Sequence, residues 1–172
     1  MAIDTTLVRA SQTITLDEAG EATDGETIVI GGKTYTFRAT VGVLDGSVHI
    51  GADVAATVDN LVAAINLDPT VGETGTEGTD YGSGMTRNPC VYATRVAATG
   101  VITLYAHVPG EIGNSIALGQ GTSTITLGGA NLASGTGNIG DFFDGLFELN
   151  QMNSEVVAAL SAFSTTEGGL TV

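Results

Sequence analysis

The chain has 172 residues, 19 acidic against five basic for a net charge of −14, and 42% of it is apolar. That length suits one domain, or one domain and a tail, burying roughly 70% of the surface that the unfolded form exposes. The charge disfavours a role that depends on grasping phosphate backbones, which needs Lys and Arg to displace counterions, and one cysteine excludes an intrachain disulfide or a Cys-only metal site.

Residues 1–21 read as an N-terminal arm in which Thr13 to Leu16 can pair as a short strand, followed by an acidic, Gly-punctuated connector. The run MAIDTTLVRASQTITLDEAG lacks a basic segment followed by an apolar core of about 7–15 residues, so it does not read as a secretory signal, and the expectation is a protein made and kept in the cytosol. Glu26 to Ile30 and Lys33 to Arg38 flank Gly31-Gly32, a pair suited to a two-residue primed turn, which predicts a β-hairpin. In its second strand Tyr35 and Phe37 share one face and are expected in the core.

Asp53 is placed to cap a helix in which Val54, Val58, Leu61, Val62 and Ile65 recur on one face. Leu67-Asp68-Pro69 ends it, and residues 70–89 read as a long loop. Cys90 to Ala97 and Val101 to Val108 predict a second hairpin, with Cys90 as a small hydrophobe opening its first strand and Tyr92 meeting Tyr105 across it. Ile116 to Leu118 and Thr122 to Leu127 read as two further short strands separated by Gly119 and Gly121. No residue from Ile112 to Gly140 is charged, yet Gly, Ser, Thr and Asn interrupt that stretch too densely for a membrane span, so no membrane segment is expected.

From Gly128 the composition changes to a Gly-rich linker, followed by two short helical patterns, Asp141 to Asn150 and Asn153 to Phe163. The expected fold is α+β and β-rich: a small antiparallel sheet or sandwich of two hairpins with one packed amphipathic helix. Its division is 1–21 arm, 22–127 core, 128–140 linker and 141–172 helical tail. Phe142, Phe143, Leu146, Phe147, Leu149, Leu160 and Phe163 give the tail an apolar surface that must either cover its own sheet or dock on another subunit. These seven are the candidate partner-interface residues.

Chemistry-bearing motifs are sparse. Gly135-Thr136-Gly137-Asn138-Ile139-Gly140 matches G-x-G-x-x-G, but no strand leads into it, and Asp141 and Asp144 stand where a pyrophosphate would sit. Asp141, Asp144 and Glu148 share a helical face and read as a solvated acidic surface. Asp17, Glu18, Glu21, Asp24 and Glu26 do not fit a calcium-loop spacing. His49 and His107 read as structural, and no G-x-S-x-G, H-E-x-x-H or paired C-x-x-C is present. No catalytic residue, cofactor or metal is expected, and enzymatic activity is not.

Five blocks carry a resemblance: Gly31-Gly32-Lys33-Thr34-Tyr35-Thr36-Phe37; Ile50-Gly51; the helix Ala55 to Asn66; Gly78-Thr79-Asp80-Tyr81-Gly82; and Gly113-Asn114-Ser115-Ile116. In content and order they resemble a small domain recurring in tailed-bacteriophage virion proteins, matched over about residues 22–120. Asn60 and Asn114 suit it by satisfying buried backbone groups. The resemblance implies a non-enzymatic structural component of the virion, assembled in the host cytoplasm, and transfers no catalytic residue. The first expectation is a capsid decoration or cement protein that contacts the major capsid protein or other virion proteins. The alternatives are a tail, neck or baseplate ring component, or a host-adhesion module binding glycan. By analogy a homo-oligomer, trimer or ring, is expected, with no nucleic acid or membrane as partner.

Overall fold

Thr, Val and Ile alternate in this chain in short runs, and such β-branched residues fit a pleated, half-buried surface. In a computed structural model of the chain, the architecture is described over residues 7–16, 22–67, 75–95, 100–121, 124–138 and 154–156. Eight strands form: β1 (Ser11–Leu16), β2 (Thr27–Ile30), β3 (Lys33–Arg38), β4 (Ser47–His49), β5 (Val91–Arg95), β6 (Val101–Ala106), β7 (Leu118–Gln120) and β8 (Ile125–Leu127). The described residues also include the helix α1 (Val54–Asn66), a 3-10 turn at Glu111–Ser115 and a helical stretch at 154–156. The protein is α+β and β-rich.

The strands make two four-stranded sheets, ordered β5-β6-β1-β8 and β4-β3-β2-β7. All pairings are antiparallel except β3 with β4, which is parallel. Inward residues of both sheets meet in one core: Ile14 and Leu16 of β1, Ile28 and Ile30 of β2, Tyr35 and Phe37 of β3, Ile102 and Leu104 of β6. α1 packs on β5 and β6 of one sheet and on β4 of the other, while β7 and β8 approach one another at the opposite side.

The predicted hairpin is β2 and β3, with Gly31 at φ 59° and Gly32 at φ 84° in the turn. α1 begins as expected, with Asp53 extended and its carboxylate accepting the Ala56 N–H at 2.7 Å. It ends at Leu67, in the left-handed region at φ 41°, whose N–H bonds back to the Ala63 carbonyl. More than one face is buried, since Thr57, Asn60, Ala63, Ala64 and Asn66 are enclosed along with Val58, Leu61, Val62 and Ile65. The helix touches both sheets, so an expectation built on one sheet undercounted its buried side; Val54 at its first turn is only half-buried.

Three expectations need correction. The strand expected at Thr13 to Leu16 forms, from Ser11, but as an interior strand of the core rather than part of an arm, because β1 pairs with β6 on one side and β8 on the other and buries Ile14 and Leu16. The segment read as a linker is bonded to the core over its described part: Asn131 bridges Ala117, Ala133 bridges Ser11, Thr136 bridges Val8, and Leu132 is buried. Its small residues let the backbone run close along neighbouring chain rather than swing free. Gly119, read as a break, lies inside β7, where Gly31 N–H to Ala117 carbonyl and Gly121 N–H to Thr27 carbonyl, both at 2.9 Å, hold the ladder across it. The second hairpin forms as β5 and β6, starting at Val91 with half-buried Cys90 just before it, and Tyr92 stacks on Tyr105 at 5.2 Å.

Two buried amides tie the parts together. Asn66 exchanges both hydrogen bonds of its side chain with the backbone of Ala93 at 2.8 Å, so the helix end pairs with β5 as a strand would. Asn88, fully buried, donates to the Ile30 carbonyl at 3.1 Å and the Tyr35 hydroxyl at 3.2 Å and accepts from Cys90 and Val91.

Candidate assembly surfaces

Between β3 and β4 the chain makes a loop whose tip carries two apolar side chains in water: Val43 is 74% exposed and Leu44 66%. The loop is not loose. Asp45 takes an ion pair from Lys33 at 2.7 Å, and its two oxygens accept the Thr86 N–H and hydroxyl, each at 2.9 Å. Lys33 also donates to the Thr86 hydroxyl at 2.9 Å and to its carbonyl. Gly46 gives its carbonyl to Thr36 N–H at 2.7 Å, and Gly42 accepts from Ser83 at 3.1 Å. Two loops and the start of β3 thus hold the Val43-Leu44 tip in one geometry, which lowers the ordering cost of any contact it makes.

Burial pushes the Asp45 carboxyl up, but the bonds from Lys33 and Thr86 together with the Lys33 charge outweigh it and hold the pKa below its ordinary 3.8. A group depressed in the folded state contributes stability that is complete above the unfolded value and lost as pH falls through the folded one. Acidification below about pH 4 is therefore expected to release the loop. The Thr86 amide should lose protection against hydrogen exchange in that range, while Asp45→Asn shows weaker protection already at neutral pH. Unchanged Thr86 protection from pH 6 down to about pH 2 contradicts this pin.

A second feature lies near the end of β6. Tyr92 stacks on Tyr105, its ring stands 5.8 Å from that of His107, and the Arg9 guanidinium lies 5.9 Å from the Tyr92 centroid. Burial lowers the His107 pKa; bonds to the backbone of Asn88 and Val91 oppose this, and the charges of Arg87 and Arg9 add to the lowering. The imidazole contacts the Asn88 carbonyl at 3.3 Å. Both histidines are thus placed in the fold, since the His49 backbone bonds to Asp80 and to Asn60.

A third feature is an open depression of about 610 Å³ between β7 and β8, with Leu118, Gln120, Ile125, Leu127 and Ala130 in its lining. Among the described residues lining it there is no acid, base or thiol to move a proton or attack a substrate. No group of three metal-ligating side chains occurs among the described residues. Nor is any described helix long and apolar enough to cross a membrane.

Asn114 exchanges two bonds with the Gly135 backbone, at 3.0 and 2.9 Å, so the start of the G-x-G-x-x-G match is a structural joint. Asn60 bonds to the His49 carbonyl at 3.0 Å. Both amides do what the sequence expected of them. The proposed interface residues Phe142, Phe143, Leu146, Phe147, Leu149, Leu160 and Phe163 lie outside the described residues, as do Asp141, Asp144 and Glu148. The Val43-Leu44 tip was missed. Its signal was two adjacent apolar residues flanked by Gly42 and Asp45-Gly46 in a stretch with no strand or helix pattern. No protein-family model matches the chain, and no curated protein matches it at a significant level.

Proposed function

We propose that this protein is a non-enzymatic structural component of a tailed-phage virion, a capsid decoration or cement protein that stabilises the head by bridging capsid subunits. What carries the reading is the placement of the five sequence blocks that resemble a recurring virion domain. Gly31 to Phe37 is the first hairpin, with Tyr35 and Phe37 buried; Ala55 to Asn66 is the helix shared by both sheets. Gly78 to Gly82 is a turn whose Tyr81 bridges Val48, and Gly113 to Ile116 carries the Asn114 joint. Ile50 N–H bonds to the Arg38 carbonyl and Gly51 N–H to the Thr57 hydroxyl, each at 2.9 Å, so all five blocks serve the fold, and none lines the depression between β7 and β8.

The surface also supports a scaffold role. A rigidly held apolar tip on an acidic, Gly-rich protein is suited to seating in a neighbour while the rest of the surface stays in solvent. Bound only to assembled shells, such a protein raises their stability by mass action. The double variant Val43→Asp with Leu44→Asp is expected to keep its melting behaviour, both side chains being exposed, yet bind expanded shells more than about tenfold more weakly. Sedimentation of shells with bound protein measures this. If the wild-type protein fails to bind or toughen expanded shells, the decoration reading is wrong.

A further inference from the structure

The five basic side chains divide into two groups. Lys33 pairs with Asp45, Arg38 with Asp24 at 3.6 Å, and Arg95 with Asp59. Arg9 and Arg87 have no carboxylate within salt-bridge reach among the described residues, and both are exposed. They flank one corner. Arg9 donates through Nη1 to the Ala106 carbonyl at 2.8 Å and to that of His107, which fixes its guanidinium beside Tyr92. Arg87 precedes Asn88, whose carbonyl contacts the His107 ring. The His107 ring in turn stands 5.8 Å from that of Tyr92, so the chain at Arg87 and the guanidinium of Arg9 come to the same ring pair.

One guanidinium over a stacked tyrosine pair, with a second exposed arginine next to the Asn88–His107 contact, is an unusual endowment for a chain of net charge −14. Copies of such a chain repel one another in general, but at physiological salt charges more than about 8 Å apart are largely screened, so the charge inside a contact zone decides whether it closes. Arginine is also suited to a contact zone, since it binds carboxylates in fork geometry and is weakly hydrated for a cation.

We propose that the corner formed by Arg9, Arg87 and Tyr92 is the seat on which a second copy of this chain places surface carboxylates. The second copy is the favoured occupant on charge complementarity: with 19 acidic residues, every copy brings the partner chemistry that this corner fits. Reciprocal seating gives a two-fold dimer, and one-way seating gives a closed ring or an open chain. The inference goes beyond the virion reading and does not rest on it.

Sedimentation velocity of the full chain at low and high salt, for wild type, Arg87→Glu and Arg87→Lys, tests it. Wild type is expected to associate at about 50 mM salt and to dissociate toward monomer at about 500 mM. Arg87→Glu should weaken association by about tenfold or more and Arg87→Lys by much less. No side-chain bond of Arg87 would be lost among the described residues, and circular dichroism melting checks that the fold survives. Arg9→Glu should act in the same direction as Arg87→Glu. A wild-type chain that is monomeric at every salt concentration overturns the proposal, including the case in which a different acidic protein occupies the corner. Association unchanged in Arg87→Glu and Arg9→Glu, or lost only in Leu44→Asp, also overturns it.

Discussion

Asn88→Ala is expected to lower folding stability by about 3–5 kcal/mol. The residue is completely buried, and four bonds depend on its side chain. Removing it leaves the Ile30 carbonyl, the Tyr35 hydroxyl and the N–H groups of Cys90 and Val91 short of a partner at the junction of β2, β3 and β5. A buried polar group left unsatisfied costs roughly 1–3 kcal/mol, and a water entering the vacated space recovers part of the sum. Tyr35 is bound to this outcome: burial pushes its phenol well above the ordinary value, and the Asn88 bond opposes that rise. Asn88→Asp is expected to be severe as well, since it places a second acceptor against the Ile30 carbonyl. Urea unfolding reads the effect as a lower midpoint at unchanged slope. A loss below about 1 kcal/mol would show that neighbouring groups find other partners.

Gly46→Ala is the second large effect, and it acts on the loop that carries Val43 and Leu44. Gly46 has φ +81°, where an L residue costs roughly 1–2 kcal/mol, and a Cβ there would stand 2.2 Å from the Thr34 carbonyl oxygen. That oxygen belongs to β3, so the loop must move, straining the bond from Thr36 N–H to the Gly46 carbonyl. The expected loss is about 2–4 kcal/mol, with weaker protection of the Thr86 amide and weaker shell binding. Gly32→Ala is the control. Its φ is similar at +84°, but nothing lies within 4 Å of the added carbon, so only the same dihedral cost of about 1–2 kcal/mol applies. Equal destabilisation by the two variants would mean that the clash at Thr34 is relieved freely.

Local signals in the sequence were enough for the parts governed by local rules. Gly31-Gly32 with flanking alternation fixes the first hairpin, and Asp53 with the spacing of Val58, Leu61, Val62 and Ile65 fixes the helix. What stayed hidden was decided at long range. β1 looks like a frayed arm because its six residues gain their stability from partners more than 80 positions away, at Val101 to Tyr105 and Ile125 to Leu127. Residues 131–136 look like a linker because Gly, Ser and Ala carry no pattern, yet those small side chains admit the close bridges to Val8, Ser11 and Ala117. The pin at Asp45 was hidden for the same reason, since Lys33, Asp45 and Thr86 come from three separate segments. The amide roles of Asn60 and Asn114 were anticipated, whereas those of Asn66 and Asn88 were not.

The central claim, a virion component spread over the head, is tested most directly by locating the chain on the particle. Particles purified from infected host cells, imaged with a label on the C-terminus of this chain, should carry label distributed over the whole shell. Label confined to one vertex or the tail would contradict decoration and favour a neck or baseplate ring, and particles without label would contradict a virion role altogether.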